Sequence, residues 1–432
     1  MRRIVRENAL CAFAAAAASA IVAWLSLYGF AWSDYENEAR PAYEALVHGH
    51  VLRFLQLAPA YGGSLIERAP FALLPGLWGG GPLAVYRMVA LPCLLAAAAL
   101  GVWLVSRMRA AGQPPLARAV ALGVCVANPV TLRALELGHP EELLGASLCV
   151  AAVLLAARSA SGRDHSLLAG ALLGLAIANK EWALLAAGPV LFALPPGRRA
   201  RCLGMAALVS AAVLGPLLLS SSGGFVTSSR EVAAPAASAI FQPQQIWWFF
   251  GGHGALVHGL FGAAKPGYRV APAWTGAISH PLILLVGAAI GALLWARSRR
   301  TALTDRDALL ALALVLLLRC VLDTWDAVYY PLPFLFALLA WELSAGRRRP
   351  PVLAVTCTAL VWASFQWLPE HVSPDAQAAL FLAWSLPLAV WLGARLAVAR
   401  GAVHAAPQFR PGTRALSQET TVSSLERLVR TS

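Results

Sequence analysis

Apolar residues along this chain gather in long runs instead of alternating with polar ones. Several runs reach roughly 17–25 residues, the length a bilayer demands of a helix. They lie near 9–31, 82–106, 117–128, 141–157, 166–179, 182–195, 203–220, 281–296, 308–322, 330–345, 352–368 and 377–396. Segments this long and this uniformly apolar do not suit barrel strands, which leaves helices as the spanning element. The expected fold class is therefore an all-α polytopic membrane protein with about twelve transmembrane helices (10–13). The runs between 117 and 195 are short and are interrupted by Asn128-Pro129 and Asn179-Lys180.

Two of the polar intervals between runs are much longer than the rest. The first, residues 32 to about 81, opens with WSDYENEARPAYEALVHGH. Its YEALVHGHVLRFL part has apolar residues at helical spacing, and Pro41 suits a first helical turn, so a short helix along the membrane surface is expected there. The second, residues 221 to about 280, contains IFQPQQIWWFFGGHG. Trp247, Trp248, Phe249 and Phe250 in a row are expected in the headgroup layer, which favours aromatic rings.

Composition sharpens this picture. Of the 432 residues 59% are hydrophobic and only 13% charged, with mean hydropathy +0.65. Soluble domains carry roughly a quarter charged residues, so a soluble reading fails. The net charge of +13 could suggest nucleic acid, but its location points elsewhere. Most of the basic residues lie in MRRIVR, the C-terminal tail and the connectors RMRAAGQPPLAR, RSASGRDH, PPGRRARC, ARSRRTALTDR and GRRRPP. These fall at alternate junctions, as the positive-inside rule requires of cytoplasmic segments, and an even number of spans puts both termini in the cytoplasm. Basicity is a topology signal here, and no nucleic-acid partner is expected.

The N-terminal run is too long for a signal peptide and is followed by many more spans, so it reads as a retained helix. The transmembrane domain is expected over 1–396, with its outer segments 32–81 and 221–280, and a polar, disordered cytoplasmic tail over 397–432. The seven cysteines sit in or beside apolar runs without metal-site spacing and read as small core residues. Alanine richness and a preponderance of Arg over Lys suggest a bacterium of high genomic GC content, hence the plasma membrane.

Charged residues then single out a face. Asp34 stands three residues past the first run, followed by Glu36, Glu38 and Arg40. It is either a solvated charge marking the membrane surface or a carboxylate held at the bilayer boundary to work on a lipid-linked substrate. ELGHPEELLG supplies Glu136, His139, Glu141 and Glu142; ANKEW supplies Lys180 and Glu181; LDTWDAVYYPLPF supplies Asp323, Asp326, Tyr329 and Tyr330. Arg319 lies one turn before Asp323, and an i,i+4 ion pair between them is expected. Charges at membrane depth cost about 2.5–3.5 kcal/mol on insertion scales and face a cavity or a partner. Four such patches on one side suggest a polar cavity opening outward, with His139, Glu141 and Glu142 as cavity wall rather than metal ligands. No P-loop, dinucleotide fingerprint or nucleophile elbow is present.

The pieces SDYENEARPAYEAL, GHPEELLGASL, NKEWALLAAGP and DTWDAVYYPLPFLFALLAWE resemble the GT-C superfamily of polytopic glycosyltransferases. Within it they are most similar to the bacterial polyprenyl-phosphate-mannose-dependent mannosyltransferases and their uncharacterised relatives. Many of those have Gly-Gln or Gly-Asn where this chain has Gly138-His139, and their Lys is often followed by Pro. The resemblance implies transfer of a sugar, a mannose-like hexose or a pentose, from a polyprenyl-phosphate donor to a glycan or lipid acceptor of the envelope. It implies Asp34 as catalytic base, since an acidic residue of the first outer segment holds that role in the superfamily. The departing phosphate would need cations, for which Lys180, Arg230, Lys265 and Arg269 are candidates, with Arg40 and His139 behind them. Glu36, Glu141, Glu181, Asp323, Asp326, Tyr329 and Tyr330 would complete the substrate site, with no metal or other cofactor. A secondary transporter and a non-catalytic envelope-assembly protein are the alternatives.

Overall fold

The structure is a computed structural model, and it describes residues 2–25, 33–159, 162–220, 224–233, 241–253, 257–258, 264–299, 303–346 and 349–398. The expected tail over 397–432 lies almost wholly outside the described residues, as does Trp32. The described chain is almost entirely helical; its only strands are the paired dipeptides Val257–His258 and Ala264–Lys265.

Six helices are long and apolar enough to cross a membrane: Pro82–Ala110, Pro115–Leu137, Pro196–Leu219, Ala273–Ser298, Val352–His371 and Pro374–Val398. Ala9–Trp24, Ser166–Asn179, Glu181–Ala193 and Leu332–Leu343 are apolar but shorter. The runs at 141–157 and 308–322 form helices Glu141–Arg158 and Asp305–Leu322, which carry charge at their ends. These two are the interior of the bundle, with nearly every side chain from Ala308 to Leu317 out of contact with solvent. The flanks of Pro196–Leu219 and Ala273–Ser298, by contrast, expose Leu203, Leu208, Leu284 and Leu285. Apolar surface on that scale is what a helix facing lipid presents.

Local chemistry explains where the helices break. The span Pro115–Leu137 is two successive helices, Pro115–Val126 and Pro129–Leu137, because Asn128 interrupts the first and starts the second. The Asn128 side chain accepts from Thr131 N at 2.8 Å and Pro129 takes the first turn, where its missing N–H costs nothing. Helices Ser166–Asn179 and Pro196–Leu219 touch through Gly170 and Gly174, where a Cβ would lie 2.4 Å from the Cys202 carbonyl oxygen and 2.6 Å from that of Ala206. Small residues one turn apart allow such backbone contact.

Several expectations need correction. The segment 32–81, expected on the outer side, contains a chain of packed helices, Arg40–Val47, Val51–Gln56 and Gly62–Leu73, preceded by a π turn over Tyr35–Ala39. The single surface helix expected around YEALVHGHVLRFL is thus split at Gly49-His50, and Tyr43 and Phe54 are buried inside it. In the second segment Trp247 and Trp248 are buried, while Phe249 and Phe250 are exposed. Their indole N–H groups decide this, because Trp247 donates to the Leu322 carbonyl at 2.6 Å and Trp248 to Asp375 Oδ1 at 2.7 Å. Arg319 does not pair with Asp323; it lies over the Tyr330 ring at 4.4 Å and donates to the Tyr330 carbonyl at 3.3 Å. Six of the seven cysteines are buried, but Cys11 is exposed, and all are free thiols.

Candidate active site around Asp34 and His139

Asp34 is not in a loop. It begins the π turn Tyr35–Ala39, whose first N–H groups, from Glu36 and Asn37, reach the Ser33 carbonyl oxygen. The turn is pinned by the buried Tyr35 ring, whose centroid is 4.6 Å from that of Tyr86. On the other side, helix Pro129–Leu137 ends at Gly138 with φ of 100°. A Cβ on Gly138 would lie 2.6 Å from the Tyr35 amide nitrogen, so only glycine permits both the turn and the approach. That contact brings residue 34 to the residue after Gly138, which is His139.

His139 is buried between two carboxylates. Its Nε2 is 2.7 Å from Asp34 Oδ2 and its Nδ1 is 2.6 Å from Glu141 Oε1. An imidazole can donate from both nitrogens only as the imidazolium. Burial by itself would lower its pKa, but Glu141 and Asp34 outweigh burial and raise it from an ordinary 6.5 to about 9. The Tyr329 ring stacks on His139 at 4.0 Å, and its hydroxyl is 3.4 Å from the same Asp34 Oδ2. Both contacts fall on Oδ2, and the Asp34 side chain remains 38% exposed.

Behind this pair lies a buried ion network. Glu141 and Glu142 begin their helix, where N–H groups and the helix dipole favour negative charge. Lys180 sits in an extended break between Ser166–Asn179 and the turn Glu181–Ala186. From there its Nζ reaches Glu142 Oε1 at 2.7 Å and Glu141 Oε1 at 3.5 Å. Arg68 Nη2 approaches Glu141 Oε2 at 3.5 Å, and Asn179 bridges the Glu141 carbonyl oxygen (2.9 Å) and Ser64 Oγ (2.8 Å). Three cations (His139, Lys180, Arg68) thus face three carboxylates (Asp34, Glu141, Glu142), the balance burial demands. Glu38 stands beside them with its side chain exposed. The ammonium of Lys180 also lies over the Tyr61, Tyr329 and Tyr330 rings, at 5.3, 5.7 and 5.8 Å.

A third group adjoins Arg319. Asp323 Oδ1 accepts from Trp325 N at 3.0 Å, and its Oδ2 is 3.8 Å from His280 Nε2. Asp326 is 1% exposed, and neither carboxyl oxygen has a hydrogen-bond partner among the described residues. Burial, reinforced by the neighbouring Asp323, raises its pKa above the usual carboxylate range.

Of the residues singled out from sequence, Asp34, His139, Glu141, Lys180 and Tyr329 are brought together in one contact network. Tyr330 joins through Lys180 and Arg319, while Asp323 and Asp326 form the neighbouring group. The remaining residues have other associations. Arg40 pairs with Glu36 of the preceding π turn and Glu44 of its own helix, Glu181 and Arg230 are exposed, and Lys265 lies 4.8 Å over the Tyr268 ring. Arg269 forms a two-pronged bond to Asp375 at 2.8 Å on both oxygens. Arg68, Ser64 and Asn179 are members of the network that sequence reasoning missed. The charged pair Glu67-Arg68 inside the otherwise uncharged GGSLIERAPF was the available signal.

Among the described residues no group of three or more His, Cys, Asp or Glu side chains could hold a metal ion. No protein-family model, curated protein or solved structure matches the chain.

Proposed function

We propose that this chain is a GT-C-like membrane glycosyltransferase with about twelve spans, in which Asp34 is the catalytic base at the extracytoplasmic border of a bacterial plasma membrane. Both termini would then face the cytoplasm, with the basic connectors on their side. The observation that carries the reading is the state of Asp34. Its Oδ2 is fixed by His139 and Tyr329, and the carboxylate is still more than a third exposed beside a rigid, charge-balanced interior. A positioned and reachable carboxylate is what proton abstraction from an acceptor hydroxyl needs.

In this mechanism the acceptor oxygen bonds to C1 of the sugar as the C1–O bond to the polyprenyl phosphate breaks. The bonding pair leaves with the phosphate, and the hydroxyl proton passes to Asp34. The transition state has oxocarbenium character, as in glycoside hydrolysis. A weak base suffices where proton transfer comes late. The cation in contact with Asp34 is His139, whereas Lys180 is engaged by Glu141 and Glu142. The phosphate-binding role expected of Lys180 therefore passes to outer-side cations such as Arg230 and Lys265, which form no ion pair among the described residues.

The test is to incubate purified protein with a panel of polyprenyl-phosphate sugars and follow loss of donor. Asp34→Asn, with normal folding, is expected to lower turnover by about 10²–10⁴-fold. Unchanged turnover in that variant would remove Asp34 from the role, and no turnover of any donor by the native protein would remove the enzyme. The self-neutralising network favours one competing reading, a non-catalytic envelope-assembly protein in which these charges only lock helices together. That reading requires Asp34→Asn to alter stability and nothing else.

A further inference from the structure

The entrance of the Asp34 centre holds a carboxylate that proton abstraction does not use. Glu38 follows Asp34 by four residues in the same helical segment, and side chains at that spacing are neighbours. It is exposed, and it stands within electrostatic reach of Asp34, His139 and Lys180. The other acids of this stretch are already engaged, since Glu36 and Glu44 both pair with Arg40. Glu38 forms no ion pair among the described residues.

Tyr61 supplies an independent observation. It is 7% exposed, and its hydroxyl is buried without a hydrogen-bond partner of ordinary geometry among the described residues. The carboxylate that this hydroxyl faces is Glu38. The Tyr61 ring is held edge-on to His139 at 5.9 Å and under the Lys180 ammonium at 5.3 Å. A buried polar group calls for a partner, and a phenol fixed in this way offers its proton toward the space around Glu38.

These groups define the ligand that fits them. Both contacts of Asp34 fall on Oδ2, which leaves its Oδ1 and the Glu38 carboxylate as acceptors, so the ligand must donate twice. Two carboxylates side by side disfavour a phosphate or a carboxylate. An ammonium would instead come near His139 and Lys180, the cations that act on Glu38. Uncharged hydroxyl groups meet neither penalty, and a hydroxyl donates and accepts, so it suits a carboxylate beside a phenol.

We propose that Glu38 binds the acceptor, an uncharged sugar with a free vicinal diol. The attacking hydroxyl meets Asp34, and the hydroxyl on the adjacent ring carbon donates to Glu38, with Tyr61 behind it. Glu38 makes and breaks no covalent bond. Calling the sugar an acceptor rests on the glycosyltransferase reading; its binding at Glu38 does not.

The test is isothermal titration of the full-length protein in nanodiscs, without donor, using hexyl mannoside, hexyl glucuronide and hexyl glucosaminide with a free amine. The mannoside is expected to bind at least tenfold more tightly than either charged glycoside. Glu38→Gln, at an exposed position, should weaken the mannoside about tenfold and narrow its advantage over the glucuronide, whereas Glu44→Gln should change neither. One monodeoxy mannoside should lose about tenfold with the native protein and little with Glu38→Gln, a coupling that a merely structural role would not produce. Mannoside binding unchanged in Glu38→Gln, or equal binding of the three glycosides, overturns the inference and leaves the role of Asp34 standing. A glucosaminide tighter than the mannoside overturns the uncharged class in favour of an amine. Should Glu38-dependent binding hold while no polyprenyl-phosphate sugar is turned over, the transferase reading falls and the sugar site remains.

Discussion

Two charge clusters in this protein are built from the same parts and stand in opposite surroundings. Each has an acidic residue in the first turn of an apolar helix, Glu141 in one and Asp375 in the other, facing a cation from elsewhere in the chain. Lys180 and Arg68 meet Glu141 where it is 0% exposed; Arg269 meets Asp375 where it is 38% exposed. The distances do not rank them, because the Arg269 bonds at 2.8 Å are shorter than the 3.5 Å contacts of Glu141. Surroundings do. A buried charge stripped of its partner has no water to turn to, whereas an exposed one is rehydrated at once. The buried network is therefore the one that holds Asp34 and His139 in place.

Removing Lys180 should strain that comparison most. Lys180→Ala leaves Glu142 buried without its cation and is expected to cost about 3–5 kcal/mol, read as a large drop in thermal unfolding temperature in detergent. Adding Glu142→Gln to it should restore part of the loss, and a single-variant cost no larger than that of an exposed pair would refute the buried network's importance.

A pH titration comes next. The His139 pKa is raised from 6.5 to about 9, so the contribution of its imidazolium to stability is complete below about pH 6.5 and fades as pH climbs through about 9. With charge-assisted hydrogen bonds worth about 1.5–3 kcal/mol, unfolding temperature should fall across that window, and His139→Gln should flatten the fall. A native protein equally stable at both ends of the window would show that His139 is neutral.

Gly138→Ala probes geometry instead of charge. Its Cβ would press on the Tyr35 backbone from a left-handed position, at an expected cost of about 1–3 kcal/mol. The same change should lower donor turnover, because the Asp34–His139 contact depends on that approach; turnover held at the native level would separate the two. The smallest effect belongs to the exposed cluster. Arg269→Gln is expected to change stability by no more than about 1 kcal/mol, and a loss comparable to that of Lys180→Ala would erase the contrast.

Much of this arrangement was legible in the chain itself. The helices, the apolar runs and the charged patches around Asp34, His139–Glu142, Lys180 and Asp323–Tyr330 all follow from residue type and spacing, since long apolar stretches leave a backbone no choice but to satisfy itself as helix. Partnership was not legible. Nothing local distinguishes Arg68, which is tied to Glu141, from Arg40, which pairs with residues four positions away in sequence, or decides that Trp247 and Trp248 turn inward while Phe249 and Phe250 stay outside. Arg319 had a carboxylate at ideal helical spacing and took the Tyr330 ring and carbonyl instead. Composition and periodicity are properties of a segment, and so they determined which parts of this chain are helix and where its charge is concentrated. Which charge meets which was decided by the tertiary structure alone, because the energy of a buried ion depends on whatever the rest of the fold places within a few ångströms of it.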